Sequence, residues 1–387
     1  MPLTMRPRHL LVAVRNAGLT LVELLVALSI GLFLTLGLFL MMSDSSRTFK
    51  IQDDFARMQD NAVTALRYVN ESARHAGFYG IAAETLTLNV YSTLGGVNIT
   101  AAGGLNCGTV LQSAVPVFGY HGQTAAGING LLPCIRTANF RDPSSVLITR
   151  MGSGFPVPDP PIPPATTGDG NLTDGIVTIA DYATTVFVQT DANAGWVFLG
   201  NDYAAMRAAS QHKTLHNGAD APIFPFQMHV YYVRPCSRPT GGGGTTCAAT
   251  DDNGNPVPTL VRQELLGTTM VERPLAEGIE RFVVTYGVDV DPGPAGDGIA
   301  DRYVTDPTTV AADGWARVVT IRVALLVRSP TPVTGYDDQS KAYDLNGDGV
   351  ADFRCTDAGA GARACEYKRA LFSQVIQLRN LAYRRGA

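Results

Sequence analysis

The sequence predicts an α+β protein. One long N-terminal α-helix, apolar in its first half and amphipathic in its second, packs on an antiparallel, β-rich and loop-rich globular head. Three observations carry this expectation. From Leu19 to Met42, 24 residues hold a single charge, Glu23, which is long and apolar enough to cross a bilayer as a helix. Ile51, Phe55, Met58, Ala62, Leu66, Val69 and Ala73 then recur at spacings of three and four, one apolar stripe on an otherwise polar helix. Beyond Gly80 the pattern changes to short β-branched runs between stretches rich in the chain's 40 glycines and 23 prolines, which reads as strands joined by long loops.

The elements follow in chain order. Residues 1–18 form a leader that carries Arg6, Arg8 and Arg15 and no acid, and this asymmetry orients it to the cytoplasm. A secretory signal peptide has a shorter apolar core and a small-x-small cleavage site. A lipoprotein signal needs a cysteine near the cleavage point, and the first cysteine here is Cys107. In residues 19–42 the carboxylate of Glu23 is costly in hydrocarbon, about 2.5–3.5 kcal/mol on insertion scales, so it calls for a partner or a function. Residues 43–77 continue the helix with Arg47, Lys50, Asp53, Asp54, Arg57, Asp60 and Arg67 on its polar side. No proline interrupts Leu19–Gly77, and Gly77 suits the C-terminal cap.

Residues 78–387 make the head. The strands expected there are Thr85–Tyr91, Val146–Arg150, Gly175–Ile179, Thr185–Thr190, Gln227–Val233, Thr259–Leu265, Ile279–Tyr286, Arg317–Arg328 and Ser373–Leu378. Phe155–Pro164 holds too many prolines to join a sheet and is expected as a surface loop. Six cysteines in an exported chain read as disulfides. Nearest-neighbour pairing gives Cys107–Cys134, Cys236–Cys247 and Cys355–Cys365, one of about 15 connectivities that six cysteines allow.

Composition excludes several classes of function. Removing residues 1–18 leaves 27 Lys and Arg against 34 Asp and Glu, a net charge of −7, so no general nucleic-acid surface is expected. No Cys-x-x-Cys occurs, which removes the usual zinc and redox signatures. His212 and His216 lack the glutamate of a zinc hydrolase, no Gly-x-Ser-x-Gly elbow appears, and Glu277 and Glu280 form no distinguishable acid/base pair. The chain is not expected to be an enzyme.

One metal pattern stands out. Asp344, Asn346 and Asp348 occupy positions 1, 3 and 5 of an EF-hand-like loop, with Gly349 at the bend. The carbonyl of Val350 and the side chain of Asp352 fit positions 7 and 9. Position 12 is Cys355 rather than glutamate. Asp289, Asp291, Asp297 and Asp301 repeat the frame in a weaker, split form. Calcium is therefore the candidate ligand, and no other cofactor is expected.

Gly18-Leu19-Thr20-Leu21-Val22-Glu23-Leu24-Leu25 behind a basic leader resembles the class III signal of type IV prepilins and pseudopilins. Ala73–Gly80, Leu275–Phe282, Asp301–Tyr303 and Gln377–Asn380 resemble scattered points of the PilW type of minor pilin. The resemblance implies a type IV pilin-like fold and cleavage after Gly18 by a prepilin peptidase, with N-methylation of Leu19. It also implies pairing of Glu23 with the N-terminal amine of a neighbouring subunit. The implied protein is held in the inner membrane by a single pass, N-terminus cytoplasmic and head periplasmic, and later lies in the pilus tip. Its implied partners are other minor pilins, the major pilin and a tip adhesin. Its implied role is to prime pilus assembly in support of adhesion, twitching motility or DNA uptake. The alternatives are a type II secretion pseudopilin and a signal-anchored periplasmic calcium-binding protein or enzyme.

Overall fold

The computed structural model describes residues 20–80, 87–91, 100–101, 105–106, 115–157, 183–192, 194–291, 296–357 and 363–386. The chain divides into two compact units, Met1–Phe55 and Ala56–Ala387. Helix α1 runs from Leu21 to His75. In the first unit, every large apolar side chain from Leu21 to Met42 is at least half exposed.

In the second unit the helix changes character. Met58, Ala62, Ala65, Val69, Ala73 and Ala76 are buried among Tyr231, Val233, Leu260, Phe282, Ile321, Val323 and Leu325. The expected stripe thus packs from Met58 onward, whereas Phe55 is 48% exposed. Ala65 and Ala76 join it because small side chains let a helix backbone approach a sheet closely. Each of the larger residues, Met58 and Val69, contributes about 1.5–3 kcal/mol by burial. Polar contacts fix the register: Ser72 Oγ lies 2.8 Å from His229 Nδ1 and 2.5 Å from the Tyr231 hydroxyl. The Tyr231 hydroxyl in turn donates to Tyr68 O at 3.1 Å.

The helix ends as its glycine predicts. Gly77 has φ +77°, a conformation open to glycine at little cost, and a Cβ there would meet Leu381 at 2.7 Å. Asn380 donates to the carbonyls of Ala76 and His75, and Arg384 to that of Gly77. The short C-terminal helix Arg379–Arg385 therefore satisfies carbonyl groups that α1 leaves unpaired at its end.

Fourteen strands are described: β1 Thr87–Val90, β2 Thr100–Ala101, β3 Leu105–Asn106, β4 Val117–Gln123, β5 Ser144–Gly152, β6 Val186–Thr190, β7 Ala194–Leu199, β8 Ile223–Arg234, β9 Thr259–Leu266, β10 Thr269–Glu277, β11 Ile279–Val288, β12 Arg302–Val304, β13 Val318–Arg328 and β14 Arg369–Gln377. Among the described residues they form a ten-stranded sheet in the order β1-β7-β6-β8-β9-β10-β2-β3, with β5 branching from β8 and carrying β4. A second sheet has the order β12-β11-β13-β14. Pairing is antiparallel except for β1 with β7 and β10 with β2. The chain passes between the sheets at Gly278, whose φ of +78° turns the corner from β10 to β11.

Four of the expected strands appear at full length or longer. Thr185–Thr190 and Arg317–Arg328 each start one residue later as β6 and β13, Ser373–Leu378 ends one residue earlier within β14, and Thr85–Tyr91 appears as the shorter β1. Gly175–Ile179 lies outside the described residues. β2, β3, β4, β7, β10 and β12 were not expected. Their sequences carry the reason: VFGYHGQ and AGWVFL contain glycines, and TMVERPLAE contains proline and three charges. Such residues lower strand propensity, which packing against neighbouring strands overrides. Pro274 is tolerated where the β9/β10 register shifts. Within the Phe155–Pro164 loop, Val157 is buried against Phe187, Phe198 and Ile223, so that part is not surface.

The long connection from β13 to β14 folds back on the second sheet. Leu345 and Phe353 pack on Val283, Ala324 and Leu326, and the guanidinium groups of Arg281 and Arg369 each lie 4.9 Å from the Phe353 ring. Beneath it sits a buried charge cluster. Glu280 is fully buried and bonds Arg369 at 2.5 Å and Arg141 at 3.0 Å, with Arg328 at 3.9 Å. Arg369 also reaches the buried Asp338 at 3.1 Å. Burial pushes the Glu280 carboxyl up, but the Arg369 hydrogen bond and the surrounding arginines outweigh it and hold it below the usual range.

Candidate assembly site

The first described residue, Thr20, opens α1. The Thr20 N–H and hydroxyl both donate to Glu23 Oε2 at 3.0 Å, and the Glu23 N–H donates to Thr20 Oγ1 at 3.2 Å. This is a reciprocal capping box. In the sequence its signal is the Thr20-x-x-Glu23 spacing. Gly18 and Leu19 lie outside the described residues.

Downstream, α1 offers an 18-residue window of mean hydropathy 2.6, none of it buried by the rest of the chain. By length and composition it can cross a membrane. Nothing stands within 4 Å of where a Cβ on Gly31 or Gly37 would lie. The site is therefore a bare apolar helix whose only acid is held at its first turn by a local threonine. Such a helix can insert into lipid or pack against other helices.

The EF-hand-like loop is closed by its own main chain. Asp344 accepts from the amides of Gly347 and Gly349, Asn346 from that of Asp348, and Asp348 from that of Val350. Asp352 accepts from the amides of Leu345 and Asn346. Gly347 and Gly349 take φ of +78° and +86°. Position 12 is unavailable as a ligand, because Cys355 is bonded to Cys365. Arg322 lies beside Gly347 and places positive charge against the loop.

In the split frame, Asp289, Asp291 and Asp301 bring carboxylate oxygens within 4.8 Å of one another. Asp297 is not in that group and accepts from the amide of Ile299. Arg385 Nε stands 3.5 Å from Asp289, and Arg385 also donates to Asp291 O, so this cluster already anchors the C-terminal helix.

Cys236 is bonded to Cys247 and Cys355 to Cys365. The expected Cys107–Cys134 pairing involves Cys107, outside the described residues. Three histidines have side-chain partners: His212 pairs with Asp220 at 3.3 Å, His121 lies 3.3 Å from Ser145 Oγ, and His229 bridges to α1.

Comparisons with known proteins bear on the same two regions. Residues 14–39 match the family model of the prokaryotic N-terminal methylation motif. Residues 246–380, from the second disulfide loop through β14, match that of type IV pilus-assembly protein W. No curated protein matches the chain. Among solved structures it is similar to the type IV-like pilin TTHA1219 from Thermus thermophilus, at 12% identity over 52% of this chain and 90% of that one. The TM-score is 0.20. The methylation motif on the bare apolar helix and the pilus-assembly match from β9 through β14 together support a PilW-type minor pilin.

Proposed function

We propose that this pilin primes pilus assembly together with other minor pilins and lies in the tip complex, where its head meets a tip adhesin. Adhesion, twitching motility and DNA uptake are served through the whole machine. One observation carries the reading: α1 from Leu21 to Met42 is exposed along its whole length. A helix so apolar is stable in water only if something covers it. Lipid covers it before assembly, with the N-terminus cytoplasmic and the head periplasmic, and the helices of other pilins cover it afterwards. Glu23 is satisfied by Thr20 in the single chain and pairs with a neighbour's methylated amine in the filament, since an ion pair in a low-dielectric bundle costs far less than a lone charge.

N-terminal analysis of the protein from pilus-producing cells tests this. Cleavage after Gly18 and N-methyl-Leu19 are expected, while a mature chain starting at Met1 would refute it. The pilus-assembly match favours this reading over a secretion pseudopilin, and rescue of piliation rather than secretion separates the two. Asp344, Asn346, Asp348, Val350 and Asp352 are further proposed as a calcium loop, supported by their spacing and by the two left-handed glycines that wrap them.

A further inference from the structure

Among the described residues, β14 has a long open edge. β14 pairs with β13 over nine residues without a register shift, from Arg369 opposite Arg328 to Gln377 opposite Thr320. No described strand pairs on its other side. The amide of Leu378 donates to Val319 O and that of Ser329 to Lys368 O. Even-numbered residues of β14 therefore bond to β13, and the N–H and C=O groups of Leu371, Ser373, Val375 and Gln377 point outward. The side chains of these four are exposed too, Leu371 at 43% and Val375 at 54%.

Proteins usually blunt such an edge with charge, proline or a bulge. β10 shows all three: Glu272, Arg273 and Glu277, Pro274, and a register shift between Pro274 and Ala276. β14 has none from Ala370 to Gln377, where the sequence is ALFSQVIQ. A regular ladder of outward main-chain groups is complementary to extended backbone. Leu371 and Val375 add two apolar positions on one face, the arrangement by which strand addition gains selectivity.

We propose that β14 accepts a strand from another protein of the assembled pilus: an extended, uncharged segment with apolar residues at alternate positions that meet Leu371 and Val375. This rests on the pilus reading above. A second copy of this chain fits less well. Antiparallel self-pairing centred on Ser373 puts Leu371 opposite Val375, but the two-fold axis relating such strands is normal to the sheet. The stretch of α1 from Met58 to Ala73 packs on this layer, so the rotation reverses its direction in the second copy. Subunits added one after another to a filament, as the pilus reading has it, are related head to tail rather than by such a two-fold axis.

The test is residue-resolved amide hydrogen exchange on the full chain, alone in detergent and within sheared pili. Exchange at Leu371, Ser373, Val375 and Gln377 is expected to slow at least tenfold in pili, while the even-numbered amides are slow in both states. Val375→Pro removes an outward N–H without touching the β13 ladder. It should leave the melting temperature in detergent unchanged and lower the amount in pili at least tenfold. Leu371→Lys with Val375→Lys keeps the backbone and should act alike if the proline variant does not fold. Wild-type protein present in pili with the odd-numbered amides still exchanging fast overturns the inference and leaves the pilus reading standing. A disulfide-linked homodimer of Ser373→Cys in pili overturns the choice of a different partner. Absence of the wild-type chain from pili overturns the functional reading and this inference with it.

Discussion

Glu280→Gln gives the sharpest test of how the head is held. The substitution keeps the shape of a fully buried side chain and removes its charge. Arg369, itself fully buried, then keeps Asp338 as its one acid, and Arg141 and Arg328 lose theirs. Breaking a buried pair by removing one partner costs about 3–5 kcal/mol, because the remaining charge is uncompensated. For a domain of this size that is a fall in Tm of roughly 10 °C. The assay is thermal unfolding of the full chain in detergent, with Arg369→Met and the double variant completing a cycle. The double variant should be less destabilised than the two singles summed. Because the folded-state pKa of Glu280 is depressed, its contribution is present above about pH 4.3, the unfolded value, and is lost as pH falls through the folded one. Glu280→Gln should therefore flatten the acid limb of stability. A change under about 1 kcal/mol with simple additivity would show that the cluster is not what holds the β13–β14 connection in place.

Three further outcomes follow from particular residues. Burial and then Arg262 push His229 down to about 4. The unfolded chain thus takes up a proton that the folded chain refuses, and stability should fall by roughly 2 kcal/mol as pH drops from 6.5 to 4. His229→Asn, which keeps an acceptor for Ser72, should lose that slope in pH-dependent denaturant titrations, and an unaltered slope would assign it elsewhere. Calcium should raise the wild-type melting temperature and leave that of Asp348→Ala unmoved; an identical rise in both would dismiss the Asp344–Asp352 loop as its site. Cys355→Ser with Cys365→Ser opens a short loop and should cost about 2–4 kcal/mol in chemical denaturation, with no measurable loss counting against a bracing role.

Much of the fold was legible because its signals are local. Leu19–Met42 announces a bare helix by hydropathy alone, and Gly77 marks the end of α1 by the backbone it permits. Strands dominated by β-branched residues, such as VVTIRVALLV, are legible on the same ground. The strands β4 and β10 were not, since glycine, proline and charge argue against them locally and only their neighbours decide the matter. The charge cluster was equally hidden. Glu280 meets Arg141, Arg328 and Arg369 from three other segments, and nothing near it in sequence says that it is buried. At the assembly site, Glu23 was visible as an anomaly, but its bond to Thr20 shows that the single chain already accommodates it. On the proposed reading, the acid therefore takes a second partner only when the helix is transferred from the membrane into the filament.

That transfer is the centre of the account, and the amount of Glu23→Ala protein in sheared pili relative to the amount in membranes measures it most directly. The variant should fold, reach the membrane and be cleaved after Gly18 like the wild type, yet be at least tenfold depleted from pili. Wild-type levels of the variant in pili would contradict the assignment of Glu23 to contact between subunits.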